Sequence, residues 1–409
     1  MKKSRVSAGV DPICDFYTSH PYPPPLENLD RARDLWQDDN VHRAEWHLFF
    51  PHRQYHPDFA VLVAGCGTWQ AAKFAFTHPQ AHVVGIDVST ASLDHTEALR
   101  KKHDLTNLEV RQLAIESVGE LDRQFDLIVC TGVLHHLVDP DAGLRALRSV
   151  LKPEGAMYLM VYAPYGRAGV HLLQEYCRRL GVGPSAEEIG DLTQVLRGLP
   201  PQHPLIAMFR GARETLDADA LVDALLNPRD RAYSVAEVFE FVESNDLQFG
   251  RWCWQAPYSP RCGPIAESPH ASRLLALPER DQFIEMELWR GLITNHDFIV
   301  YPRGRKRPFA VDFRGDRLPA YIPIRRPWTT CIEERLPPEA AGALLNQAHL
   351  FNDLFILIDE REKRIYDAID GRRSVAEILA GDKLTGSVRD FFEKLWWHDQ
   401  VVFETTGAK

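Results

Sequence analysis

The 409 residues predict an α/β fold, a mostly parallel sheet with helices on both faces, and three observations carry that expectation. Phe59-Ala60-Val61-Leu62-Val63-Ala64 is an unbroken apolar run, which suits a central parallel strand covered on both faces. It ends in Gly65-Cys66-Gly67, a turn where two residues without Cβ let the backbone come close to a ligand. Ala81 to Asp87 is a second such run that closes on an acid, 22 residues after Gly65 (87 − 65). A carboxylate so placed reaches a ribose diol, and the competing reading of Asp87 is a cap for a helix starting near Ser89. A pyrophosphate would need a third glycine at position 70, which is Gln70, so the turn suits a nucleoside without phosphates.

The elements that follow keep the alternation. Phe125 to Thr131 reads as a strand running into the loop Gly132-Val133-Leu134-His135-His136-Leu137. Asp139-Pro140 supplies an N-cap with proline in the first helical position, and Leu144, Leu147, Val150 and Leu151 recur at helical spacing. Leu151-Lys152-Pro153-Glu154-Gly155 stops that helix, and Ala156 to Tyr162 is the next strand.

Over residues 40–165, and more loosely to 303, this order resembles the class I S-adenosylmethionine-dependent methyltransferases. The resemblance implies a Rossmann-like seven-stranded sheet and S-adenosyl-L-methionine as cofactor, and after strand 5 the chain departs from the minimal fold with a helical insertion. It places Ala64, Gly65, Cys66 and Gly67 beside the cofactor's amino-acid end, Asp87 on the ribose, and Val88 near the adenine. Where relatives carry an acid for the adenine amino group this chain has Leu113; Glu116 or a backbone carbonyl would take over that contact, with Ile115 also at the cofactor. Thr131 and Gly132 would line the methionine end and the substrate mouth.

Composition fits an ordinary enzyme of two or three domains. A net charge of −10 argues against a dedicated nucleic-acid binder, and seven cysteines with no C-x-x-C argue for reduced thiols and against zinc. No apolar run approaches a membrane span, and the start Met1-Lys2-Lys3-Ser4-Arg5 lacks a signal peptide's apolar segment; the expectation is a cytoplasmic protein.

Residues 1–34 form an arm whose Phe16 to Pro25 stretch is expected to be extended and non-helical because of its prolines. Tyr17 and Tyr22 either close the site, as in several relatives, or pin the arm to the surface. Residues 35–165 are the cofactor-binding core. Residues 166–232 insert helices at 170–180, 186–196 and 218–226 above the strand ends, where open α/β sheets bind ligands; the readings are an acceptor lid or plain packing. Residues 233–303 complete the core with a capping box at Ser234 and Glu237, a sixth strand over 247–254, a helix over 283–293 and an antiparallel seventh strand over 297–301. Residues 304–330, rich in arginine and proline, read as a solvated basic linker, with a nucleic-acid or acidic-partner contact as the alternative.

Residues 331–409 read as a compact, separate module of three helices and a closing strand. They resemble a winged-helix module, and the stretch from Asp370 to Phe403 is similar to PqqD-like domains that bind precursor peptides. Its third helix has few basic residues, which favours a peptide or subunit over nucleic acid.

Methyl transfer is an in-line displacement, so positioning dominates, and an oxygen or nitrogen acceptor adds the need for a base. His135, His136 and Tyr165 are the catalytic candidates; a structural role is the competing reading of the histidine pair. Arg167 and Tyr258 join Tyr17 and Tyr22 as acceptor-contact candidates, and no metal constellation is evident. The acceptor is expected to be a small molecule. The alternatives are a peptide docked on the C-terminal module, or a catalytically silent cofactor-binding regulator.

Overall fold

The computed structural model describes residues 12–206, 218–304, 310–381 and 383–407. The basic start and Arg305, Lys306 and Arg307 lie outside the described residues.

Seven strands form the central sheet: β1 Ala60–Ala64, β2 His82–Asp87, β3 Leu108–Gln112, β4 Phe125–Thr131, β5 Leu151–Tyr162, β6 Leu247–Trp252 and β7 Asn295–Pro302. Their order is β3-β2-β1-β4-β5-β7-β6, with β7 antiparallel to both its neighbours and the first five parallel. Leu62 and Ala64 of β1 face one apolar layer and Val61 and Val63 face another, so all of the strand but the partly buried Ala60 is buried. A strand covered on both faces gains nothing from alternation, and its sequence shows none.

Several boundaries differ from the sequence reading. β5 begins at Leu151, because a register shift between Phe125 and Leu127 accommodates Pro153 inside the strand. The sixth strand stops at Trp252, and the following helix runs Glu279–Arg290, ended by Gly291 at φ +59°. The arm is not wholly extended: Pro12–Ser19 is a helix that contains Phe16 and Tyr17. The prolines act only from Pro21 onward, and Pro12 stands in the first helical position, where proline is tolerated.

Helices Ala168–Leu180, Ala186–Arg197 and Ala218–Leu226 build the insertion around Val170, Leu173, Leu192, Leu205 and Leu221. The capping box at Ser234 and Glu237 opens helix Val235–Ser244.

The C-terminal region holds helices Glu360–Asp367, Val375–Leu379 and Gly386–Trp397. It also holds strands β8 Ile322–Arg325, β9 Thr329–Ile332, β10 Gly342–Asn346, β11 Phe355–Ile358 and β12 Val401–Glu404. β9, β10 and β11 form an antiparallel sheet, and β12 pairs with β8. The linker reading is corrected here. β8 is a strand, and Phe313, Leu318 and Tyr321 lie in the C-terminal apolar core.

The module is not separate either. Trp397 packs in the main core, and the backbone N–H of Thr405 donates to the Pro51 carbonyl at 2.8 Å. Asp399, wholly buried, accepts from the backbone N–H of Ala256 at 3.0 Å and from Arg326 at 3.1 Å, with Arg251 at 3.7 Å. Burial lowers the Arg251 guanidinium to about 10, opposed by the attraction of Asp399. A buried carboxylate between two arginines is satisfied only while both bodies stay together. Among the described residues no helix is long and apolar enough to cross a membrane.

Candidate active site

One cavity of about 1290 Å³ opens at the C-terminal ends of the parallel strands, where open α/β sheets bind ligands. It exceeds the usual ligand pocket of about 300–1,000 Å³, leaving room for more than one small molecule.

The first end is built by β1, β2 and their loops. Gly65 and Gly67 take φ of +68° and +54°. A Cβ on Gly67 would stand 2.8 Å from the Tyr22 carbonyl oxygen, so glycine lets the arm close over the turn. The turn's N–H groups are already engaged. Those of Gly65 and Cys66 donate to the Ile86 carbonyl at 2.8 and 2.9 Å, and that of Gly67 to Asp87 Oδ2 at 2.9 Å. What the turn offers a ligand is therefore space rather than donors. Asp87 Oδ1 accepts from the backbone N–H of Ser89 at 2.9 Å. Burial pushes this carboxyl up, and the bonds from Ser89, Gly67 and Val88 oppose that. With three backbone N–H groups on its four lone-pair sites, the carboxylate keeps one for a hydroxyl. Ser89, not Asp87, caps the following helix, its hydroxyl accepting from the Ser92 N–H. Gln70, at the absent third glycine, donates to the Thr131 hydroxyl at 2.8 Å.

Arm and insertion meet at the other end. The Tyr17 hydroxyl donates to Asp223 at 2.8 Å, Tyr162 donates to the same carboxylate at 3.3 Å, and Asn227 donates to Tyr17 at 3.0 Å. Burial, then the Asp223 charge, pushes both phenols well above their ordinary range, so they stay protonated donors. The Ser89 hydroxyl donates to the Tyr17 carbonyl at 3.0 Å and that of Thr68 to the Pro23 carbonyl at 2.6 Å, fastening the arm along the cavity. Closing the site and pinning the arm are thus one set of bonds.

Of the expected site residues, Gly65, Cys66, Gly67, Asp87, Val88, Ile115, Glu116, Thr131, Gly132, Tyr17, Tyr22, Arg167 and His136 line this cavity. Ala64 does not; it is buried in the core one residue before the turn. His135 is also fully buried, its ring 4.1 Å from that of Tyr162, and burial holds its imidazole well below the ordinary range. Of the pair, only His136 reaches the cavity, its Nδ1 bonded to the Arg229 carbonyl at 2.5 Å. Tyr165 is 43% exposed and lies outside the lining. Tyr258 is buried elsewhere: its ring stacks on Trp252 at 4.1 Å and its hydroxyl bonds His296 at 2.8 Å. Arg167 pairs with Asp230 at 3.2 Å and lies over the Tyr162 ring at 3.6 Å. Among the described residues, one group has a metal-binding arrangement: His135, His136 and Asp230 bring ligand-type atoms within 4.8 Å of one another.

Sequence reasoning missed Asp223 and the whole wall formed by residues 345–354, including Asn346, His349 and Phe351. Neither carries a spacing signal, since both reach the site through long-range packing. Burial lowers the His349 imidazole, and neither of its ring nitrogens has a hydrogen-bond partner.

Residues 62–157 match the family model described as a methyltransferase domain. Residues 62–157 are therefore a methyltransferase domain, the sheet order is that of the class I fold, and the matches imply S-adenosyl-L-methionine as its cofactor. The chain belongs to the same family as the uncharacterized protein syc1184_c of Synechococcus sp., which is 31% identical over 303 residues spanning 70% of each chain. The ubiquinone biosynthesis O-methyltransferase of Neisseria meningitidis is 25% identical over 156 residues, 36% of this chain and 66% of its own. PKMT2 from Rickettsia typhi shares the fold at TM-score 0.63 and 16% identity, over 92% of this chain and 75% of its own. Its complex with AdoHcy aligns at TM-score 0.59 and 17% identity, over 92% and 72%.

The residues present fit the cofactor. A half-buried carboxylate with a free lone pair, a Cβ-free turn beside it and apolar side chains at Val88, Leu113 and Ile115 line the cavity.

Proposed function

We propose that this chain methylates a small, polar molecule drawn into the cavity between the glycine turn and the Tyr17–Asp223–Tyr162 cluster. When bound, S-adenosyl-L-methionine supplies a methyl carbon carried on a sulfonium. Asp87 would hold the ribose hydroxyls, and Thr131 and Gly132 would flank the methionine end. Tyr17, Tyr162 and Asp223 orient the acceptor, and Asp223 offers a proton-accepting atom at the same end. Glu116 is the polar side chain beside the adenine shelf.

The observation that carries this reading is continuity. Cofactor residues and the polar cluster line one cavity, roofed by the arm, the insertion and residues 345–354. Such a roof excludes water and admits a compact acceptor more readily than a folded protein surface. Residues 166–232 are thereby an acceptor lid, and residues 331–409 a wall of the site as well as a winged-helix-like, PqqD-like module.

The test is release of S-adenosylhomocysteine from the full chain with phenolic, carboxylic and amine acceptors, beside lysine-containing peptides. Turnover of a small acceptor, lowered about 100-fold or more by Asp223→Ala, is the expected result. Turnover of peptides alone would overturn the reading.

A further inference from the structure

We propose that His135, His136 and Asp230 bind one divalent transition-metal ion, of the zinc or ferrous type, at the acceptor end of the cavity. Three lone pairs converge there with nothing to bond. A carbonyl oxygen can only accept, so the bond between His136 Nδ1 and the Arg229 carbonyl puts the proton on Nδ1 and leaves a bare lone pair on Nε2. That Nε2 is buried and makes no hydrogen bond. His135 is wholly buried, and neither of its ring nitrogens has a partner. Asp230 uses Oδ2 for Arg167 at 3.2 Å and Gln174 at 2.7 Å, while its buried Oδ1 makes no hydrogen bond.

The ligand atoms of the three residues lie within 4.8 Å of one another, a spacing that bonds of about 2 Å would close with a small inward shift. Buried polar atoms are nearly always paired, so a cluster of three unpaired acceptors asks for a cation. Two imidazoles and a carboxylate suit zinc or ferrous iron and leave coordination positions open. The Nδ1 bond of His136 is also the usual outer support of a ligating histidine, fixing its tautomer and ring plane. Arg167 and Arg229 are the opposing charges, the latter donating to the His136 carbonyl at 3.0 Å, and the carboxylates of Asp223 and Asp230 match them in number; Arg167 bonds Oδ2 of Asp230 and not Oδ1. Because His136 lines the cavity, the ion's open side would face the acceptor. The cluster joins the loop after β4 to the end of the insertion, so sequence spacing does not reveal it. The inference does not depend on methyl transfer.

The test uses the full chain, stripped with a chelator and titrated with cobalt(II) and zinc(II), read by calorimetry, visible absorption and elemental analysis. One ion per chain is expected, with affinity about 10–100-fold weaker or lower still in Asp230→Asn and His136→Gln. Thermal unfolding without metal checks that each variant is folded. X-ray absorption of the zinc-loaded intact chain should show imidazole ligands, which holds the proposal to account should a variant not fold. No stoichiometric uptake, unchanged affinity in a folded variant, or a zinc spectrum without imidazole would overturn it. Uptake of metal without affinity for S-adenosylhomocysteine would keep this site and sink the proposed function instead.

Discussion

At the scale of single residues, the site depends on what each side chain does before any ligand arrives. Asp87 is held at both oxygens by backbone N–H groups, so its carboxylate is oriented in advance and pays little on binding. Gly67 has a comparable role through absence. Replacing it with alanine forces a side chain onto φ +54° and into the Tyr22 carbonyl 2.8 Å away. We expect Gly67→Ala to cost about 1–3 kcal/mol in stability and to weaken cofactor affinity, measured by thermal unfolding and calorimetry; an unchanged affinity would show that the arm does not close over the turn. These residues were legible in the sequence because a strand, a glycine turn and a distant acid keep fixed spacing. Asp223 was not, because its role comes only from Tyr17 and Tyr162 meeting it across the fold. Tyr258 misled for the same reason: its place after a strand put it near the mouth, whereas stacking on Trp252 turned it into the core.

Between elements, charge pairs fasten the C-terminal strands to the core. Glu404 of β12 meets His47 at 3.4 Å and Arg43 at 2.6 Å, both on helix Asp39–Phe49. The bond from His47, with help from Thr406 and Arg43 and against burial, lowers its carboxyl from 4.5 to about 2. The folded state therefore binds this proton less readily than the unfolded state. The stabilisation is fully present above pH about 4.5 and is lost as pH falls toward 2. Glu404→Gln should flatten that part of the stability–pH curve, followed by denaturant unfolding between the two values; a curve identical to the parent's would contradict the pairing. Helix Val235–Ser244 was readable as an element from its capping box at Ser234. β9, β10 and β11 were not, since strands of four or five residues among prolines and loops leave too short a pattern to show a period.

For the whole molecule, the account makes the C-terminal region part of the enzyme rather than an appendage. Removing residues 331–409 would strip Trp397 from the main core, β12 from β8 and one wall from the cavity. We expect the shortened chain to lose cofactor binding and cooperative unfolding together; a stable, binding-competent remainder would contradict the shared core. Asp399→Ala tests the same claim with one atom group. It leaves Arg251 and Arg326 buried without their counter-charge, for an expected loss of about 3–5 kcal/mol, read from denaturant midpoints. The sequence pointed to a separate module because charge runs and prolines precede it, and nothing in a linear pattern tells a solvated arginine from Arg326, which is 6% exposed and bonded to Asp399.

The most direct measurement is calorimetric titration of the full chain with S-adenosyl-L-methionine beside its Asp87→Ala variant. The account predicts one site per chain, with affinity in the variant lower by about 10–100-fold, the worth of hydrogen bonds to a charged group. An intact chain that binds no S-adenosyl-L-methionine, or a folded variant that binds it equally well, would contradict the central claim.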